Sequence, residues 1–553
     1  MKFLEISLIG FVLFFSFIIN FYYGHQGLMP LDDLQNFNSG YRILTGDFPF
    51  RDYYSITGPF LDILQGYIYK IFGISWQSFV LHASIMNCLY SISVFLFLKN
   101  LEFKTQDCFF YSLSAGLLMY APSGNPTVEH NSLILSLIAT FFFIVSLKEN
   151  KKLYLFASIF IFFISFFTKQ VPTAYFAIFC IIIFFSKIFS EIKISTIISI
   201  IIFSLIISFL FFLFFKHNKV QIADIFEQYI IISTNLGESR FNNLDFNFIY
   251  EKISKLFFLL FLIIPSLYIS FIGKKNDSFI IITSLSVTIS IYEIHSNNQP
   301  ITFSLLPIFI SLFYFFYIKE NLNLKFVKFF LIFIIIYAFY RILRFEFFYL
   351  YIFIIMFIYL YRFKKVNIKN LTILYLFISS LFYFEKYIKI RAWDELKKND
   401  LQTSFNAGSI NSKLNYLKWK TVYFKKTVSE KKMILSTLNY LESLKNETNY
   451  ILISDYQIYN AILEKKDFSP VKYWFENAAY PSKNHELRFK FDEFFKSKII
   501  DNDISQIIFD NTAQFKSMDL KEFSWLYGCS SKKTEFLQEK YLDVFEIKKD
   551  CIK

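Results

Sequence analysis

PLDDLQNFNSGYRILTGDFPFRDYYSITGPFL, residues 30–61, is the polar island of this chain. It opens on Asp32 and Asp33 and continues through Arg42, Asp47, Arg51 and Asp52. It also holds three of the 14 glycines and three of the 11 prolines. The sequence on either side is mostly Phe, Ile and Leu. A polar loop with its own turn residues, set between long apolar runs, fits a polytopic membrane protein that keeps its chemistry at the edge of the hydrocarbon slab.

Composition supports that class. The chain has 553 residues, 55% of them hydrophobic, and its 78 phenylalanines exceed what a water-soluble domain can bury. The net charge of +13 does not point to nucleic acid, because the lysines fall in short turns between apolar runs. That distribution reports orientation in a bilayer.

Residues 1–23 carry Lys2 and Glu5 and then a long apolar run with no small-residue cleavage site after it. They are expected to form an uncleaved first span with its start in the cytoplasm. Further spans are expected near 76–98, 109–122, 130–147, 153–168, 171–186 and 195–215. Six more follow near 256–273, 278–294, 301–318, 327–343, 347–361 and 371–388, about thirteen in all. Lys99, Lys104, Lys148, Lys151, Lys152, Lys187 and Lys193 mark the turns on one side. The opposite side takes the 24–75 loop, APSGNPTVEH (121–130), Lys169 and the 216–255 loop. Arg341 and Arg344 run against the pattern. An odd number of spans puts the tail on the same side as the 24–75 loop.

From about residue 390 the chain is charged and has no spanning run. YILISD (450–455) and SQIIFD (505–510) have strand character, and HELRFKFDEFFKSKI (485–499) has helical spacing. The expected organisation is a membrane domain over 1–389 and a small extracytoplasmic α/β domain over 390–553. Cys88, Cys108 and Cys180 fall in or beside apolar spans as small buried hydrophobes. Cys529 and Cys551 are able to pair if the tail is in an oxidising compartment. No Cys/His spacing suggests a structural metal.

Asp32 and Asp33 have two readings. LDDLQNFNSGYRIL has helical spacing, so either Asp can serve as a helix N-cap. A carboxylate at the membrane surface can also act as a general base on a hydroxyl. Glu129 and His130 similarly open an apolar span, where an acidic residue meets the helix dipole favourably. Lys169 in FFTKQVPTAY is a snorkelling interfacial lysine or an ammonium with a functional partner.

Gly46-Asp47-Phe48-Pro49-Phe50-Arg51-Asp52, followed by Thr57-Gly58-Pro59-Phe60-Leu61, resembles the first external loop of polyprenyl-phosphate-sugar-dependent glycosyltransferases of the GT-C superfamily. The pattern is that of glycosyltransferase family 39, of the protein O-mannosyltransferase and aminoarabinose transferase kind. Such enzymes carry an acidic pair after the first span, a Gly-x-x-Pro-Tyr-x-Asp-like segment and a Pro-Leu that opens a helix. The resemblance implies Asp32 as the catalytic Asp, with Asp33 in place of a Glu. Thr57-Gly58-Pro59 stands where some relatives have Lys-Pro-Pro, which removes a cation facing the donor phosphate; Arg51 is the substitute. FFTKQVPTAY resembles the family's Leu-Thr-Lys-Gly-Pro segment and implies that Lys169 meets the same phosphate. Glu129, His130, Asp52 and Tyr53 would orient acceptor or donor. Glu293 and His295 match the family in position only.

The function expected from the resemblance is transfer of a sugar from a polyprenyl-phosphate donor to a glycan, lipid or protein acceptor, with inversion. The setting would be the outer face of a bacterial inner (plasma) membrane, with membrane lipid as a partner. No cofactor is required, because the lipid phosphate is already a good leaving group; a divalent cation held by Asp33 and Glu129 is compatible. Two other classes remain, beside a purely structural or assembly role. A surface-polysaccharide polymerase or ligase would place its richest external loop later in the chain. A transporter or flippase would place charges or broken helices near the bilayer midplane.

Overall fold

The computed structural model describes residues 3–234 and 401–552, apart from 101, 121–123, 189–193, 422, 425, 446, 477–478, 511–519 and 534–540. The six later spans expected between 256 and 388 lie outside the described residues, as do Glu293, His295, Arg341 and Arg344.

The first part is helical. α1 (Phe3–Tyr23) leads to two shorter helices, the polar α2 (Pro30–Leu44) and the mostly apolar α3 (Phe60–Phe72). Then come α4 (Trp76–Asn100), α5 (Thr105–Met119), α6 (Val128–Glu149), α7 (Lys152–Phe166), α8 (Gln170–Ile188) and α9 (Ile194–His217). Among the described residues, α1, α4, α9 and the 128–147 part of α6 are long and apolar enough to cross a membrane. On α1 and α9 the apolar side chains also point outward: Phe11, Phe14 and Ile18 on α1, and Ile201, Leu205 and Phe209 on α9, are exposed. An apolar exterior of this extent is stable only against lipid. This is an integral membrane protein.

Between the helices the contacts are small and polar, as expected where lipid supplies no hydrophobic drive to association. Asn87 Nδ2 donates to Ser16 O at 3.0 Å and to Gly116 O at 2.8 Å, joining α4 to α1 and α5. Gly116 permits this approach, since a Cβ there would stand 2.2 Å from Ser16 Oγ.

The helix ends segregate as the lysine pattern requires. At one end, Lys99 at the close of α4 pairs with Glu5 at the start of α1 at 2.6 Å. Lys99 also donates to Thr105 at the start of α5. At the other end, Asn20 of α1 donates to the carbonyl of Gly124, and Trp76 Nε1 donates to the carbonyl of Gly24 at 2.8 Å. α2 and α3 lie at this second, loop end. Gly40 and Gly66 let them pack closely, with Gln65 and Ile43 filling the space a Cβ would take.

The tail is an α/β unit. β1 (Phe405–Asn406) and β2 (Lys418–Trp419) pair antiparallel, and α10 (Thr427–Ser443) follows. β3 (Asn449–Ile453), α11 (Arg488–Asp501), β4 (Ile504–Asp510), β5 (Ser530–Lys532) and β6 (Leu542–Ile547) complete it. The sheet order is β3-β4-β6-β5, with β3 and β4 parallel and the rest antiparallel. Strand alternation splits β3 between two cores. Tyr450 and Leu452 face Met433, Leu438 and Leu441 of α10, while Ile451 and Ile453 share a cluster with Phe491, Phe495 and Ile499 of α11. Cys529 and Cys551 form a disulfide that ties the C-terminal turn to the start of β5.

The first of these cores does not stop at the tail. It continues through Leu28, Leu34, Phe37, Tyr69 and Trp76 of the loop end. Main-chain bonds cross the same junction, from Lys418 N to His25 O at 3.0 Å and from Tyr54 N to Pro470 O at 2.8 Å. Loop and tail form one layer over the end of the helices.

Candidate functional site

Two polar clusters lie in this layer. The first begins at α2. Met29 is its N-cap, Pro30 takes the first helical position, and both aspartates fall in the first turn. Neither Asp is therefore the cap residue itself. Asp33, wholly buried, reaches back so that its Oδ2 accepts the Met29 N–H at 2.7 Å, satisfying one of the helix's free donors. The same oxygen accepts from Asn125 Nδ2 at 2.9 Å. Asp32 is half-buried, with Gln35 Nε2 3.5 Å from its Oδ1. Asn36 Nδ2 spans the Asp32 carbonyl at 2.8 Å and the Pro126 carbonyl at 3.3 Å. The first turn of α2 is thus fastened to the segment that runs into α6.

That segment delivers Glu129. Thr127 caps α6, its Oγ1 accepting the His130 N–H at 3.2 Å. Glu129 then sits in the first turn, where the helix dipole favours its charge. Its Oε1 accepts from Lys169 Nζ in an ion pair, each side chain about a quarter exposed. Lys169 stands on the turn between α7 and α8, and its carbonyl accepts from Ser132 at 3.1 Å and Thr173 at 2.9 Å. Ser165 and Ser136 extend this hydroxyl cluster below it. The backbone of Lys169 is pinned while its ammonium stays at the surface of the slab.

His130 is in the wall of this cluster. It is buried, stacks on Tyr120 with ring centres 4.6 Å apart, and bonds Thr127 Oγ1 through Nδ1 at 2.5 Å.

Arg51, Asp52 and Tyr53 form the second cluster. Arg51 donates to Asp52 Oδ2 at 2.7 Å, to the Gly46 carbonyl at 2.6 Å and to the Asn218 carbonyl at 2.9 Å. Asp52 also accepts the Phe48 N–H at 2.8 Å and faces Lys498 of α11 at 3.4 Å. Burial alone would raise the Asp52 carboxyl; these donors and cations outweigh it and hold the group below its ordinary range. Tyr53 is wholly buried, its hydroxyl donating to Asp62 Oδ2 at 3.1 Å and its ring 4.1 Å beneath the Arg42 guanidinium.

The two clusters meet along Thr57-Gly58-Pro59. Gly58 N–H donates to the Thr168 carbonyl at 3.1 Å, and Phe60 N–H to the Phe167 carbonyl at 3.2 Å. A Cβ on Gly58 would fall 1.9 Å from the Phe167 oxygen. The segment before α3 and the turn that presents Lys169 therefore touch through main chain.

Sequence reading missed the centre of the second cluster. Asp62 accepts from Ser39 at 2.7 Å, Tyr53 at 3.1 Å and Lys472 at 2.7 Å, and Lys472 also approaches Thr57 at 3.4 Å. An Asp on the buried face of an otherwise apolar helix was the available signal for Asp62. Lys472 had none. Reading also passed over His82, buried between Gln65 of α3 at 2.9 Å and Asn131 of α6 at 3.2 Å. Among the described residues, no group of three or more His, Cys, Asp or Glu side chains is placed to hold a metal ion.

No protein-family model matches the chain, and no curated protein matches it. Among solved structures the chain is similar to ArnT from Cupriavidus metallidurans, in a crystal structure bound to undecaprenyl phosphate. The likeness covers 98% of this chain and 97% of that one, at 10% identity and a TM-score of 0.38.

Proposed function

We propose that this protein is a membrane glycosyltransferase of the GT-C type. It moves a sugar from a polyprenyl-phosphate donor to a hydroxyl or amine of a glycan, lipid or protein on the outer face of a bacterial inner membrane. One observation carries the reading. A half-buried carboxylate, Asp32, stands on a turn fastened to the segment that presents the Glu129–Lys169 pair, at the end of apolar spans where a lipid-linked phosphate would arrive.

Asp32 takes the acceptor's proton as its oxygen or nitrogen attacks the anomeric carbon. The bond from that carbon to the phosphate oxygen breaks with inversion, and the polyprenyl phosphate leaves with the electron pair. Lys169 offsets the charge that builds on the phosphate. Glu129 aims the ammonium before the donor binds, and shares it afterwards. Asp33 fixes the turn that carries Asp32. Arg51 has its donors engaged by Asp52, Gly46 and Asn218, so we assign the phosphate to Lys169 first. Asp52 and Tyr53 hold the loop in shape around the acceptor, and His130 shapes the wall. The reaction needs no metal, although a divalent ion near Asp33 and Glu129 is compatible with it.

Matched membranes containing wild type or Asp32→Asn, incubated with radiolabelled polyprenyl-phosphate sugars and native acceptors, test the reading. Label transferred by wild type and lost in the variant, at equal protein levels, supports it. Equal transfer by both removes Asp32 from the chemistry. An arm with added EDTA tests metal independence.

A further inference from the structure

Four aromatic side chains stand exposed around the loop end of α1 and α4. Tyr22 is in the last turn of α1, and Tyr67 and Phe72 are on α3, which turns through Gly73 into α4. The fourth, Tyr416, belongs to the tail and is 72% exposed. It stands between the buried Leu414 and Leu417, so its ring is turned away from the core that those two enter.

The loop that carries Tyr416 comes down to the level at which the spans begin. Gln77, the second residue of α4, donates to the Asn415 carbonyl at 3.2 Å. Lys418 N–H bonds the His25 carbonyl, two residues beyond α1. Lys70 on α3 and Lys418 beside Tyr416 are both exposed. Tyrosines with lysines at the ends of spans form the belt that settles at the headgroup level of a bilayer. The rings bury apolar area while the hydroxyls stay wet, and the ammonium groups meet lipid phosphates. Along α4, Ile85 and Leu89 are exposed as well, apolar side chains of the kind that suit acyl chains.

We infer that the tail is itself a membrane-contacting element, with the 412–418 loop seated by Tyr416 and Lys418 in the lipid headgroup zone beside α3. This rests on the chain spanning a bilayer and not on its transferring a sugar. The tail is then held to the membrane at its own edge as well as through the layer it shares with α2 and α3.

The test uses the full chain in nanodiscs of phosphatidylethanolamine and phosphatidylglycerol, with Cys88, Cys108 and Cys180 replaced by Ser. Spin labels are placed singly at Tyr416→Cys, Tyr67→Cys and Val428→Cys, the last an exposed position on α10. Collision with lipid-soluble oxygen is compared with collision with a water-soluble nickel chelate. Labels at 416 and 67 shielded from the chelate and reached by oxygen, with 428 the reverse, is the expected result. A label at 416 as open to the chelate as the one at 428 overturns the inference, whatever the label at 67 reports.

Discussion

The Lys472 ammonium lies 2.7 Å from the Asp62 carboxylate, both almost wholly buried, although 410 residues separate them in the chain. This contact joins the tail to α3, and α3 leads through Gln65 and His82 to the helix that carries Glu129. Buried pairs add little net stability when intact, but losing one partner strands a charge, at about 3–5 kcal/mol.

Lys472→Met is therefore expected to lower the unfolding temperature of the detergent-solubilised protein strongly and to expose the tail to protease. Replacing both partners, Lys472→Met with Asp62→Leu, should recover part of the loss, because no charge is then left unpaired. A double variant as unstable as the single one would show that the pair matters through something other than its charges.

At the proposed site, Lys169→Ala should reduce kcat for transfer by about 10²-fold or more, the scale at which a preorganised cation acts on a developing anion. Glu129→Gln should act differently. It leaves the ammonium in place but unaimed, so the donor KM should change more than kcat. Steady-state kinetics with a lipid-phosphate sugar separates the two.

The tail carries a pH dependence of its own. Burial, with the neighbouring Asp510 charge adding, pushes the Asp455 carboxyl up to about 7 from an ordinary 3.8. A raised carboxyl resists ionising in the folded state while the unfolded chain ionises freely. Its stability contribution is thus fully present below about pH 4 and is lost as pH rises toward 7, at no more than about 1.4 kcal/mol per unit. Glu430, raised chiefly by burial, acts with the same sign. Asp455→Asn should flatten much of this slope in thermal melts between pH 4 and pH 8, and an unchanged slope would refute the assignment.

Gly58→Ala tests the main-chain contact between the two clusters. Its Cβ would meet the Phe167 carbonyl, which belongs to the turn that presents Lys169. Activity should fall sharply. Gly46→Ala is the control: its φ of +95° makes the change strained, at roughly 1 kcal/mol, but no atom stands within 4 Å of the added carbon. Transfer should survive in that variant.

Much of this was legible in the chain. Long apolar runs separated by lysine-bearing turns can only be membrane helices, since backbone polar groups in lipid must be satisfied within the segment. Parity of the turns then put the 24–75 loop, Glu129 and Lys169 at one end, which is where Asn36, Asn125 and the Phe167–Lys169 turn gather. Short apolar runs between helical stretches likewise marked β3 and β4 in the tail. Local patterns of this kind are written in residues a few positions apart.

The roles of individual charges were not legible. Asp32 and Asp33 are neighbours of identical chemistry, yet Asp33 is wholly buried and accepts the Met29 N–H while Asp32 is only half-buried, because successive helical positions point about 100° apart. Arg51, Asp52 and Tyr53 turned out to be engaged with Asn218, Lys498 and Asp62. By itself, then, the sequence determined a membrane-spanning helical protein with a polar layer and a strand-containing tail. Only the tertiary structure decided that the tail shares a core with that layer and that Lys472 neutralises Asp62. Hydrophobic periodicity is a property of neighbouring residues, whereas the partner of a buried charge is selected by packing across hundreds of them.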